Sequence, residues 1–122
     1  LYGEEIREKY GEDTVKKSNE KWLNMSEETY NEMTSIEDEL IKTLLLLHKS
    51  NQIDSEIGKK AYELHKKWLS YSWSEYSTAA HVNLVKMYNE DERFADYYNK
   101  KCNLEVTKLL HDAVVLHSNN NL

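Results

Sequence analysis

The sequence contains no proline and a single cysteine, Cys102. One thiol excludes an internal disulfide and a zinc cage built from cysteines. No apolar run approaches the ~20 residues that span a bilayer, and the densest stretch, LIKTLLLL at residues 40–47, reads as a short buried helical face. The opening LYGEEIREKYGED lacks the basic start and apolar stretch of a secretory signal, so a cytoplasmic location is expected. With a net charge of −6 and acids and bases interspersed, the chain has no basic stripe to neutralise phosphates, and these residues are not expected to hold DNA or RNA. Alternating strand patterns, hairpin dipeptides, internal repeats and low-complexity linkers are also missing, which leaves an all-α fold.

What is present fits one domain. At 122 residues, folding buries roughly two thirds of the surface the unfolded chain exposes, enough for a real core. The chain begins at Leu1 rather than Met, which reads as a piece of a longer protein with a partner domain on the N-terminal side. Nine tyrosines and three tryptophans stand against one phenylalanine, a set of rings with polar handles suited to half-wet surfaces.

Residues 4–11 form a weak helical candidate closed by Gly11, and Thr14 caps a second short segment ending in Trp22 and Leu23. Helices this short are marginal alone, so residues 1–24 are expected to stay mobile until something packs on them. From Ser26, a capping hydroxyl followed by first-turn glutamates, an amphipathic helix carries Tyr30, Met33, Ile36, Leu40, Ile41, Leu44 and Leu47 at three- and four-residue steps. Asp54 or Ser55 caps the next helix, with a stripe of Ile57, Ala61, Leu64, His65 and Trp68. A bend is expected near 71–74, with Ser74 capping a helix that carries Tyr76, Ala80, Leu84, Met87 and Tyr88. Asp91 caps the helix of Phe94, Tyr97 and Tyr98, and Asn103 the last one, of Val106, Leu109, Leu110, Ala113, Val114 and His117. The expected architecture is a globin-like crossed helical bundle of about five main helices, with a core over 25–118 and a frayed tail at 119–122.

Residues 65–94 gather Trp68, Tyr71, Trp73, Tyr76 and Tyr88 beside His65 and His81. Leu64, Trp68 and Tyr88 read as core. Tyr71, Trp73 and Tyr76 flank a helix break near the small Ala79 and Ala80 and the polar Asn83, the pattern of a cleft lined by rings with a few polar groups.

Five histidines invite a metal or haem, with His65 or His81 in a proximal role, yet no two of them sit at i and i+4 on one helix, and histidines with one hydrogen bond each are the simpler expectation. No cofactor is expected. No nucleophile and base can be paired from the sequence, so an enzyme has no anchored residue. Cys102 follows Lys100 and Lys101 at a helix end, a setting that can stabilise a thiolate, although a partly buried small side chain is the simpler expectation.

The segments YGEEIREKYG (2–11), HKKWLSYSW (65–73), MYNEDERF (87–94) and LHDAV (110–114) occur in an order that resembles the TipAS effector domain of MerR-type transcriptional regulators. The resemblance covers nearly the whole chain. It implies an all-α, globin-like domain without haem that binds bulky antibiotics such as thiopeptides and closes its N-terminal helices over them. It also implies the helix-turn-helix domain and dimerising coiled coil that members usually carry on the N-terminal side, although shorter members without the DNA-binding part also occur and act by sequestration. In a family member that captures its thiopeptide covalently, a cysteine adds to a dehydroalanine. An ungapped match places Asn83 there, an amide that cannot make that addition, and Cys102 does not match the position.

The function expected is non-covalent, multidrug-like ligand sensing without catalysis. Trp22, His65, Trp68, Tyr71, Trp73, Tyr76, Ala79, Ala80, His81 and Asn83 are the expected ligand contacts, and Trp22 belongs to the lid. DNA would be reached only through the N-terminal domain, no membrane partner is expected, and the full-length protein is expected to be a homodimer. The alternative is a protein-interaction or dimerisation module with no small-molecule ligand.

Overall fold

The computed structural model describes residues 25–120, and in them the chain forms five α-helices: α1 (Glu27–Ser50), α2 (Glu56–Ser72), α3 (Thr78–Glu90), α4 (Glu92–Cys102) and α5 (Thr107–Asn120). The expected N-terminal helices, with Trp22, lie outside these residues. No helix among the described residues is long and apolar enough to cross a membrane.

Local chemistry sets the boundaries. Ser26 Oγ accepts from Thr29 N at 3.1 Å and Ser55 Oγ from Gly58 N at 3.4 Å, while Asp91 accepts from Arg93 N at 3.0 Å, satisfying amide groups that an α-helix leaves open at its start. α1 and α4 end on Asn51 and Asn103, both in the left-handed region at φ 55°, where asparagine is among the few side chains tolerated.

Two expected caps fall elsewhere. The start of α3 is capped by Ser77, whose Oγ accepts from Ala80 N at 3.1 Å, three residues beyond Ser74. Residues 73–76 therefore form a longer connection, which sets Tyr76 just before the helix. Asn103 terminates α4 instead of starting α5. The α5 start is served by Asn99, whose Oδ1 accepts from Val106 N at 2.7 Å and Thr107 N at 3.1 Å, reaching from the helix before.

α1 lies along α2, and α5 packs on both α2 and α3, with α4 closing against α3 and α1. The pairings are consistent with the crossed arrangement expected. Leu40, Leu44 and Leu47 of α1 meet Ala61, Tyr62 and Leu69 of α2, Val85 and Met87 of α3, Phe94 and Tyr98 of α4, and Leu110 and Val114 of α5 in one core. Each leucine fully buried there contributes about 1.5–3 kcal/mol of transfer free energy. Tyr62 and Leu69 belong to the core although the stripe read from the sequence omits them, because α2 is covered by α1 on one side and α5 on the other. Tyr30, expected on the apolar stripe of α1, and Tyr97, expected to share a face with Phe94 and Tyr98, are exposed. Tyr97 instead donates from its hydroxyl to Glu37 at 2.8 Å, beside the Lys101–Glu37 ion pair at 3.1 Å that ties α4 to α1.

Candidate functional site

The HKKWLSYSW segment supplies the last half of α2 and its C-cap, Trp73, and the register of that helix turns His65 into the core while Lys66 and Lys67 face out. His81 lies in the first turn of α3 and also points inward. Both imidazoles are fully buried. Their facing nitrogens, His65 Nδ1 and His81 Nε2, are 2.7 Å apart. On the outer side the Tyr76 hydroxyl is 2.6 Å from His81 Nδ1, and on the inner side the Tyr88 hydroxyl is 3.5 Å from His65 Nε2, so four side chains form one polar file through apolar surroundings. Each histidine has a polar neighbour on both ring nitrogens, where one hydrogen bond apiece was expected.

Burial lowers both histidines. His65 is held well below the ordinary imidazole range by desolvation and then by His81, and His81 falls to about 3 by desolvation and then by the nearby Lys66 charge. Desolvation, followed by the closeness of Tyr62, pushes the Tyr76 phenol above the ordinary tyrosine range, so it keeps its proton. Two proton orders satisfy the file. Either Tyr76 donates to His81, which donates through Nε2 to His65, which donates to Tyr88, or every bond runs the opposite way.

Aromatic packing fixes the rings. Tyr62 stacks on His81 with centroids 5.7 Å apart, and Trp68 lies nearly parallel to His65 at 6.2 Å. Trp73 stacks on Tyr76 at 6.1 Å. The Trp68 indole nitrogen is buried with no acceptor among the described residues.

Among the described residues, surface grooves border this cluster and its helices. One of about 470 Å³ runs along the outer face of α2, with Lys59, Tyr62, Lys66, Lys67, Ser70 and Tyr76 in its walls. A second, of about 580 Å³, opens between α1 and α2 with Tyr71, Ile36 and Lys67. A third, about 760 Å³, lies over α3, α4 and α5 and includes Tyr88 and Asn99. The smallest, about 300 Å³, again includes Lys67. Lys67 therefore borders three of these hollows.

The expected cleft is redistributed by this arrangement. Tyr76 lines the first groove and Tyr71 the second, because α2 runs between them. His65 and His81 are brought together behind Tyr76 rather than at a surface, and Trp68 and Trp73 are half-buried against the core. Ala79 and Asn83 are exposed, Ala80 is half-buried, and none of the three lines any of these grooves. Lys59, Tyr62 and Lys66 were missed. Their signal was the helical spacing of positions 59, 62, 66 and 70 on the face opposite the apolar stripe.

Cys102 takes the simpler of its two expected forms. It is buried, and desolvation raises its thiol, so the neighbouring lysines do not make a stabilised thiolate. Among the described residues no three histidine, cysteine, aspartate or glutamate side chains converge on a metal-sized site.

The family model of the TipAS antibiotic-recognition domain matches residues 2–117. Nothing matches the chain among curated proteins or among solved structures.

Proposed function

Because the chain belongs to the TipAS antibiotic-recognition domain family, we propose that it senses a bulky, ring-bearing antibiotic or similar drug-like molecule at the groove beside Tyr76, without covalent capture. The observation that carries this is Tyr76, which lines the groove while its hydroxyl is bonded at 2.6 Å to the buried His81, so a guest there touches a residue continuous with the core. Tyr76 supplies ring surface, the buried Tyr62 forms the floor behind it, and Trp73, stacked on Tyr76, reports on the site. Non-covalent binding is supported by the exposed amide at Asn83 and the buried, raised thiol of Cys102.

In this proposal the domain belongs to a cytoplasmic, homodimeric MerR-type regulator, with DNA held by a separate N-terminal domain. Ordering of residues 1–24 over the guest is part of it, supported by the weak helix signals of their sequence. Ordering a segment costs free energy that the guest contacts must offset, and this coupling is what transmits occupancy.

Titrating thiopeptide and other bulky antibiotics while following tryptophan emission and amide exchange tests the proposal. Saturable quenching with new protection near Tyr76 is expected. If no compound perturbs Tyr62, Trp73 or Tyr76, the sensing function is wrong, and if a tight ligand leaves residues 1–24 exchanging freely, the closure is.

One observation favours a second reading, a self-association surface: Leu45 and Leu46 stand side by side on α1, 37% and 54% exposed. Sedimentation across concentrations separates the two, because self-association through α1 predicts a mass that doubles without ligand.

A further inference from the structure

The groove beside Tyr76 has an electrostatic character that the chain as a whole does not share. The chain carries a formal charge of −6, yet this groove is walled by Lys59, Lys66 and Lys67 against the single carboxylate of Glu63. Helical geometry creates the concentration, since residues three and four apart on α2 share its outer face. On an ordinary solvated face such lysines find acids, as Lys60 does with Glu39 at 3.1 Å. Lys59, Lys66 and Lys67 form no ion pair among the described residues. The Lys66 ammonium lies instead 5.0 Å from the centroid of the Tyr76 ring, held at the mouth of the groove.

A neutral guest filling this space would strip water from three ammonium groups and return nothing to them. An acidic guest would offset that loss with charge-assisted hydrogen bonds. We infer that the groove takes an organic anion: a molecule whose carboxylate, sulfonate or phosphate sits among Lys59, Lys66 and Lys67 while its attached aromatic ring lies against Tyr76. This rests on the groove being the ligand site and adds the charge of the ligand. The acid group also comes close to Lys66, the charge that His81 feels, so occupancy reaches the buried file through the same lysine.

Three probes with one ring and different charge test it: naphthalenesulfonate, naphthalenemethanol and naphthylmethylammonium, each titrated into the chain at low ionic strength and followed by NMR. The sulfonate is expected to bind roughly fivefold tighter than the alcohol, with the ammonium weakest, and to lose most of that advantage as salt screens the site. Lys59→Gln with Lys66→Gln removes the preference, whereas Lys42→Gln with Lys86→Gln leaves it intact. A sulfonate and an alcohol that bind equally at Tyr76 overturn the inference and leave the groove standing as the ligand site. Shifts spread over Lys42 and Lys86, with the preference surviving loss of Lys59 and Lys66, overturn it as well. Probes that never shift Tyr62 or Tyr76 overturn both the inference and the proposed site.

Discussion

His65 Nδ1 and His81 Nε2 lie 2.7 Å apart in a site where neither ring reaches solvent, although sixteen residues and a change of helix separate them in the chain. Two imidazoles in such contact cannot both carry a positive charge without strong repulsion in a region from which water is absent. The fold therefore holds the pair neutral. A neutral pair links the Tyr76 groove to the core through hydrogen bonds alone.

A pH dependence follows with a definite sign. Unfolded histidines titrate near 6.5, whereas the folded His81 titrates near 3 and His65 is also lowered, so below the unfolded value the unfolded chain binds more protons. The stabilisation is complete above about pH 6.5 and is lost progressively as pH falls from there toward the folded values, at up to ~1.4 kcal/mol per pH unit for each histidine. Urea unfolding at pH 7 and pH 5 should show the midpoint dropping in the native chain and much less in a His65→Gln, His81→Gln variant. Equal drops in both would refute it.

Tyr76→Phe keeps the ring against Trp73 but leaves His81 Nδ1 without its partner at 2.6 Å. Leaving a buried nitrogen unsatisfied costs about 1–3 kcal/mol, toward the lower end here because the groove admits water. Chemical denaturation gives the loss directly, and a histidine NMR resonance that does not move on substitution would argue against the file of hydrogen bonds.

Gly58 sits in the first turn of α2 against the Ile53 carbonyl, which also accepts from His117 Nε2 at 2.7 Å. On an exposed helix, replacing glycine with alanine gains up to ~1 kcal/mol. Here the added methyl group overlaps the backbone of Ile53, which cannot rotate aside, and overpacking of about 1–3 kcal/mol outweighs the gain. Gly58→Ala is expected to lower the melting temperature, and a rise would show that the connection between α1 and α2 yields freely.

Asn99 holds the start of α5 from the neighbouring helix. Asn99→Ala should cost about 1–2 kcal/mol, as lost caps do, whereas Asn99→Asp retains the acceptor and places a negative charge at a helix start. Thermal melts of the two variants should separate clearly; indistinguishable melts would mean that water replaces the amide.

Cys102 should react slowly with iodoacetamide in the native chain and rapidly in urea, since its thiol is buried and raised. Mass spectrometry over time follows the modification. Prompt native labelling would reinstate a reactive thiol.

Caps were readable where their effect is local: Ser26 and Asp91 hold the amides a few residues ahead and sit where the sequence placed them. Ser74 and Asn103 failed for a common reason. Each is a good capping residue beside another, Ser77 and Asn99, and only the packing of α3 and α5 decides between the candidates. The aromatic segment was legible as a cluster of rings and histidines but not as a geometry. Whether Tyr71 and Tyr76 share a hollow depends on which sides of α2 the neighbouring helices leave open, and the His65–His81 contact joins two stripes whose relative rotation no single-helix periodicity contains. Lys59 and Lys66 escaped notice because lysines on an outer face are the usual solvating pattern, and what sets them apart is that neither forms an ion pair among the described residues.

Lys67 borders three hollows at once, on either side of α2. One flexible ammonium can complete only one of them at a time. Guests in the Tyr76 and Tyr71 grooves that both draw on this charge are rivals even when their bodies never touch, and linkage makes the rivalry mutual: whatever the first guest subtracts from the affinity of the second, the second subtracts equally from the first.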